Sequence, residues 1–189
     1  VVDPATVTNY GMGQEQLEEF LLFAIAVAGK NADTTALALA RFLALGDDVT
    51  PFQAIKNMSP GLLMHNLKKS RIGMYGKLIR AFTSVATGLF DLKTVLPEQL
   101  EEIHGIGPKT ARFFVLHTQE DARYAVLDTH ILKWLRAKGY VAPKTTPTGR
   151  RYAELEKVFL KEADSMGVHP AELDLAIWNN YHKPRKVSP

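Results

Sequence analysis

The sequence predicts an all-α protein. Apolar residues recur at spacings of three and four through nearly the whole chain, the mark of helices with one buried face. Alternating patterns, which a half-buried strand needs, are nearly absent. Proline or a short polar side chain heads several of the stripes, where a helix start favours it. About ten helices are expected.

Leu17, Phe20, Leu21, Ala24, Ile25 and Ala28 share one face of the first helix. The apolar stretch 20–28 is short and has no basic leader, so it reads as a buried helix rather than a signal peptide. Asp33 is expected to cap a second helix, with Ala36, Leu37, Ala40, Leu43 and Ala44 turned inward. Pro51 opens a short helix around Phe52 and Ile55, and Ser59-Pro60 opens another with Leu62, Leu63 and Leu67. Leu78, Ile79, Phe82 and Val85 continue the set. Further on come Ile131 to Leu135, then Tyr152, Leu155, Val158 and Phe159, then Leu173, Ile177, Trp178 and Tyr181. The stretch 141–149 is rich in Pro and Thr and reads as a surface loop. Lys183-Pro184-Arg185-Lys186 reads as a flexible basic end. No internal repeat stands out.

The segment Leu100–Leu135 carries the chemistry. Leu96, Leu100 and Ile103 make the apolar stripe of a short helix opened by Pro97. Gly105-Ile106-Gly107 then allows positive φ and close backbone approach, and a new helix begins near Pro108. A helix-hairpin-helix over 97–117 results. It aims unpaired N–H groups outward at a helix N-terminus, which can hold a phosphate without reading base sequence. An ordinary turn between packed helices would look similar around a bare Gly-x-Gly. The following Lys109-Thr110-Ala111 makes the pattern more specific.

Lys109 falls in the first turn of that helix, and Asp128 follows nineteen residues later in Leu127-Asp128-Thr129-His130. An amine attacks carbon only when neutral, and both burial and the positive helix end favour that form. Asp128 precedes the stripe Ile131, Leu132, Leu135, so it can sit at a helix N-terminus as a carboxylate. A carboxylate there can help deprotonate the Lys. It can also stabilise the positive charge that builds on a sugar losing its base. Alone, Asp128 would be a plain N-cap; the matching Lys109 points to catalysis. His130, on the first turn of an apolar helix, reads as a packed, hydrogen-bonded histidine. The six His residues show no metal-ligand spacing.

Composition limits the alternatives. The 189 residues are 46% hydrophobic, enough for one sizeable core or two lobes sharing a cleft. No run of eighteen apolar residues exists, so no membrane span is expected. Val1 stands where an initiator Met would, so residues are expected to precede it. There is no Cys, which removes disulfides, thiolate catalysis and Cys-ligated zinc or iron–sulfur clusters. The absence of Cys agrees with a reducing compartment, and a cytoplasmic location is expected, nuclear in a eukaryote. Net charge is +3, but residues 67–93 hold six Lys or Arg against one Asp. That basic strip directly precedes the hairpin and suits phosphate.

Gly105-Ile106-Gly107-Pro108-Lys109-Thr110-Ala111, with Asp128-Thr129-His130 downstream, resembles the helix-hairpin-helix DNA glycosylase superfamily. That superfamily includes endonuclease III and the 8-oxoguanine glycosylases. Without Cys the chain looks closer to the small cluster-free members, nearest to 8-oxoguanine glycosylase/lyases. The resemblance implies two helical lobes around a DNA-binding cleft within a single unit, 1–189. Residues 30–125 would form the central lobe with the hairpin, and 1–29 plus 126–189 the other. It implies a bifunctional enzyme acting on double-stranded DNA as a monomer. Lys109 would displace the base through a Schiff base and nick the strand by β-elimination, with Asp128 assisting. Gly105, Gly107 and Thr110 would contact DNA.

The resemblance also assigns two loops that enter the duplex. In the first, Lys30 or Asn31 would fill the gap left by the flipped base. In the second, Arg71-Ile72-Gly73-Met74-Tyr75, Met74 would be an apolar wedge. No cofactor is implied beyond a monovalent cation on the main-chain carbonyls of Glu101, Ile103 and Ile106. Phe113 and Trp178, with Tyr181, are the aromatic candidates for stacking on an extruded base. Leu173-Asp174-Leu175-Ala176-Ile177-Trp178 is similar to the last helix of small 8-oxoguanine glycosylases. An oxidised purine, 8-oxoguanine first, is therefore expected ahead of oxidised pyrimidines. Two other readings stand beside this one. One is a noncatalytic DNA-binding hairpin, which would need only the glycines and not Lys109 with Asp128. The other is an enzyme of the same fold acting on a modified rather than a damaged base.

Overall fold

The computed structural model of the chain describes residues 1–46 and 49–182. The basic run at 183–186 lies outside them. Among the described residues ten helices and no strand occur. They are α1 (Gln14–Ala26), α2 (Ala32–Leu43), α3 (Pro51–Asn57), α4 (Pro60–Lys69) and α5 (Tyr75–Thr87). Then follow α6 (Pro97–Glu101), α7 (Pro108–Thr118), α8 (Thr129–Ala137), α9 (Gly149–Met166) and α10 (Pro170–Tyr181). Thr50 and Ser59 cap α3 and α4, each followed by Pro at the first helical position.

Two hydrophobic cores divide these helices. The larger gathers α1 to α7 around Phe20, Phe23, Phe42, Phe82 and Phe114. Nine of the thirteen residues of α1 are buried, so this helix is apolar nearly all round and takes a central place. It packs on α2, α3, α5 and α7. The expected division put residues 1–29 with the C-terminal segment; in the structure α1 belongs to the larger core. Its buried Glu18 also caps α3, accepting the Phe52 N–H at 2.9 Å. The smaller core joins α8, α9 and α10 through Ile131, Leu135, Tyr152, Phe159 and Ile177. Leu116, Val126 and Ala171 form a small contact where α7 meets α10.

Three details of α2 and α4 differ from the periodicity. Asn31, not Asp33, caps α2, its side chain accepting the Thr34 N–H at 3.0 Å. The inward stripe of α2 is Thr35, Ala36, Ala38, Leu39 and Phe42, while Leu37 is exposed. Leu37 and Leu39 lie on nearly opposite sides of a helix with 3.6 residues per turn, and the bulkier pair Leu39 and Phe42 takes the core. Leu62 on α4 is likewise exposed, with Leu63 and Leu67 inward.

Candidate active site

The hairpin joins α6 to α7. The Gln99 side chain accepts the Leu96 N–H at 2.8 Å, closing the start of α6, and buried Leu100 and Ile106 anchor the turn from beneath. The two glycines do different work. Gly105 has φ +93°, a left-handed conformation that favours glycine. Gly107 has φ −103°, which any residue adopts, and a β-carbon there would meet no protein atom within 4 Å. Its use is open approach, not unusual torsion. The first helical amide of α7 to be paired is that of Ala111, bonded to the Gly107 carbonyl at 3.0 Å. The amides of Gly107, Lys109 and Thr110 have no partner among the described residues. Three free donors at a helix N-terminus have the geometry that suits an anion. The Thr110 side chain, expected to touch DNA, is buried, so the group it can offer is its amide.

Behind these amides opens a cavity of about 890 Å³. Lys109 and Asp128 both line it. Lys109 stands half-buried in the first turn of α7. Asp128 caps α8 through one oxygen: Oδ1 accepts the N–H groups of His130 and Ile131, each at 2.8 Å. The cap uses one oxygen, so Oδ2 remains available for chemistry. Phe113, Trp178 and Tyr181 line the same cavity, as does His130, which is half-buried and stacks on Tyr181 instead of sitting in the core. Phe113 also leans on the core rings of Phe20 and Phe23, whereas Trp178 stacks on His182 at 4.0 Å between centroids.

A half-buried charge cluster links the elements that carry Lys109 and Asp128. Arg112, one turn beyond Lys109, donates to Glu101 on α6 at 2.5 Å and to Glu156 on α9 at 2.9 Å. Its guanidinium lies over the Tyr152 ring, 4.8 Å from the centroid. Glu156 also accepts the Ala125 N–H at 3.0 Å, while the buried Tyr152 hydroxyl donates to the Ala125 carbonyl at 2.6 Å and accepts the Leu127 N–H at 3.3 Å. The extended residues leading to Asp128 thus hang from α9, and Arg112 pins α9 to the hairpin.

Residues 53–168 match the family described as 8-oxoguanine DNA glycosylase. The chain belongs to the 8-oxoguanine DNA glycosylase family. It is 35% identical over 79 residues to the 8-oxoguanine DNA glycosylase/AP lyase of Picrophilus torridus and 37% identical over 79 residues to that of Thermoplasma volcanium. Each matched stretch is 42% of this chain and 37% of the relative. The fold resembles the crystal structure of the Methanocaldococcus jannaschii 8-oxoguanine glycosylase/lyase in complex with 15mer DNA containing 8-oxoguanine. There the TM-score is 0.69 at 22% identity, covering 90% of this chain and 83% of that one. The 8-oxoguanine DNA glycosylase of Thermotoga maritima gives 0.69 at 22% identity, covering 88% and 80%. At that identity the likeness is one of fold.

The two loops expected to enter DNA are tied together. Lys30 Nζ donates to the Ile72 carbonyl at 2.6 Å, so it braces the second loop from the first. Burial, helped by the charge of Lys77, lowers its pKa. Asn31 is occupied as the α2 cap. Met74 is exposed and, like Arg71, has positive φ, a strained conformation for a residue with a β-carbon. Of the three loop candidates, Met74 alone is presented outward without a competing partner among the described residues.

Asp174 is the site residue that sequence reasoning passed over. It lines the cavity four residues before Trp178, and its carboxyl is nine-tenths buried. Burial pushes its pKa up; the His117 hydrogen bond opposes this, Asp128 adds to it and Lys109 opposes it. An Asp inside the apolar run Leu173–Trp178 was the available signal, since a buried carboxylate is rare without a partner. Among the described residues no group of three His, Asp or Glu side chains could hold a metal ion, and no helix is long and apolar enough to cross a membrane. The Ile103 carbonyl accepts the Ile106 N–H at 3.0 Å, which leaves one lone pair for a cation.

Proposed function

We propose that this protein excises an oxidised purine, 8-oxoguanine first, from double-stranded DNA and then nicks the abasic strand. The carrying observation is one cavity lined by Lys109, at a helix N-terminus, and Asp128, capping another, behind the free hairpin amides. The amides and Gly107 would hold a backbone phosphate, and the carbonyls of Glu101, Ile103 and Ile106 would share a monovalent cation with it. Met74 would wedge the stack open, and the base would turn into the cavity, whose volume suits a small ligand.

Neutral Lys109 Nζ then attacks the sugar C1′. The C1′–N9 bond breaks, and its electron pair leaves with the base, which takes up a proton. Asp128 stabilises the positive charge on the sugar and accepts the proton that Lys109 sheds. Ring opening gives an iminium between Nζ and C1′. Loss of a C2′ proton expels the 3′ phosphate, which nicks the strand. One chain supplies both groups, so the working unit is read as a monomer. Asp174 offers an acceptor to the N–H groups of a guanine-like edge, which favours an oxidised purine.

Borohydride reduces the iminium and locks the protein to DNA, so trapping tests the mechanism. Duplexes carrying 8-oxoguanine, thymine glycol or an abasic site are expected to trap the protein, with 8-oxoguanine released faster than thymine glycol. Lys109→Gln is expected to abolish trapping while binding remains. Tenfold preference for thymine glycol overturns the substrate; undiminished trapping by Lys109→Gln overturns the nucleophile.

A further inference from the structure

His117 has no role in the chemistry above, yet it is a fully buried histidine one residue from the end of α7. Both ring nitrogens are engaged. Nδ1 lies 2.7 Å from the Thr8 hydroxyl, and Nε2 lies 3.2 Å from Asp174 Oδ2. With the Thr8 hydroxyl donating to Nδ1, Nε2–H is left to donate to the carboxylate. The Phe113 ring meets the imidazole edge-on at 5.2 Å, and the Asn9 N–H bonds the His117 carbonyl at 3.0 Å. The ring is thus held from the N-terminal segment, from α7 and from α10 at once.

That chain of bonds ends at the cavity. Asp174 uses Oδ2 for His117, and Oδ1 has no protein partner among the described residues. Oδ1 is not sealed from the cavity, so an occupant there can supply it with a donor. The cavity it faces also contains Lys109 and Asp128.

We propose that His117, bridged between Thr8 and Asp174, is a positioning residue that aims the second oxygen of Asp174 at the N–H donors of the extruded base. The inference rests on the glycosylase reading above and adds how the base is selected. Guanine-type edges carry N–H at position 1 and an amino group at position 2, both of which donate to one carboxylate. 8-Oxoadenine lacks the N–H at position 1 and fits less well.

The role separates base release from strand nicking, because a preformed abasic site puts no base against Asp174. The test uses the full chain with Thr8→Val, His117→Phe and His117→Gln. It compares single-turnover release of 8-oxoguanine with nicking at a preformed abasic site. His117→Phe is expected to slow base release by at least about tenfold, the scale of one hydrogen bond to a charged group. Nicking should stay within about twofold, and preference for 8-oxoguanine over 8-oxoadenine should narrow. His117→Gln, which keeps an N–H toward Asp174, should recover part of the loss. Thr8→Val, on a half-buried residue, should show the same split at smaller size even where His117→Phe fails to fold. Equal losses in both reactions, or unchanged base release in Thr8→Val and in every folded His117 variant, overturn the proposal. A wild-type protein that neither releases base nor nicks overturns the function itself, and this role with it.

Discussion

The Arg112 guanidinium donates to the Glu156 carboxylate at 2.9 Å and thereby joins the hairpin helix to the smaller core. The Arg side chain is only 13% exposed, so the pair is largely out of water. Its burial opposes the charged form, but Glu156, Glu101 and Tyr152 outweigh that, and the Arg112 pKa is raised.

Arg112→Met should therefore leave two carboxylates without their partner and cost about 3 kcal/mol of stability, the scale for breaking a buried pair. The catalytic effect should exceed the binding effect, because the segment carrying Asp128 loses its tie to Lys109. Urea unfolding gives the first quantity, and single-turnover kinetics beside DNA titration give the second. Unchanged kinetics in a folded variant would show that α9 holds Asp128 unaided.

Asp128→Asn separates cap from catalyst. Asn is as good a helix cap as Asp, so stability should fall by less than about 1 kcal/mol. Base release should fall at least about a hundredfold, the lower scale for a positioned acid–base group. Thermal melts and single-turnover assays check the two halves. A folded variant with full activity would falsify the catalytic role.

Gly107→Val probes the anchor without disturbing the fold. The backbone at Gly107 suits Val, and a β-carbon there meets no protein atom within 4 Å. Melting temperature should hold, while affinity for lesion and undamaged duplex falls alike, as expected of a contact to phosphate. Wild-type affinity should drop with salt by about 0.9 log units per tenfold salt for each phosphate neutralised, and the variant should show a shallower slope. Equal affinity and slope would move the anchor elsewhere.

Asp174→Asn links stability to pH. Because the folded carboxyl has a raised pKa, the folded state holds its proton more tightly than the unfolded chain does. That contribution is full below the ordinary Asp value of about 3.9 and fades as pH rises through the folded value. Wild type should therefore lose stability relative to Asp174→Asn as pH climbs through this window. Above it the variant should be at least as stable, while releasing 8-oxoguanine more slowly. Melts of both proteins at a series of pH values from about the ordinary Asp value upward decide it. A difference in melting temperature that does not change with pH removes the linkage.

How much was legible in the sequence differs from residue to residue. Each helix announced itself through local spacing, and the hairpin through Gly105, Pro108 and Lys109, because turn torsion and helix starts depend on near neighbours. Asp128 was read correctly as a cap for the same reason. Leu37 and Leu62 were misplaced because several faces of α2 and α4 are apolar, and only the partner helices choose among them. Lys30 looked free because its partner, the Ile72 carbonyl, is far away in sequence, and Asn31 because the sequence placed the α2 cap two residues later, at Asp33.

By itself, then, the sequence determined the all-α class, the hairpin, the Lys109–Asp128 pair and the family resemblance, all features written in short-range pattern. Tertiary structure alone decided that α1 sits in the larger core, that Arg112 ties the hairpin to α9, and that Asp174, bonded to His117, lines the cavity. His117 and Asp174 are 57 residues apart in the chain, and Arg112 and Glu156 are 44 apart. No local pattern encodes such pairs. They exist because packing helices together takes charged groups largely out of water, where they must find each other, and only the packed molecule shows which ones do.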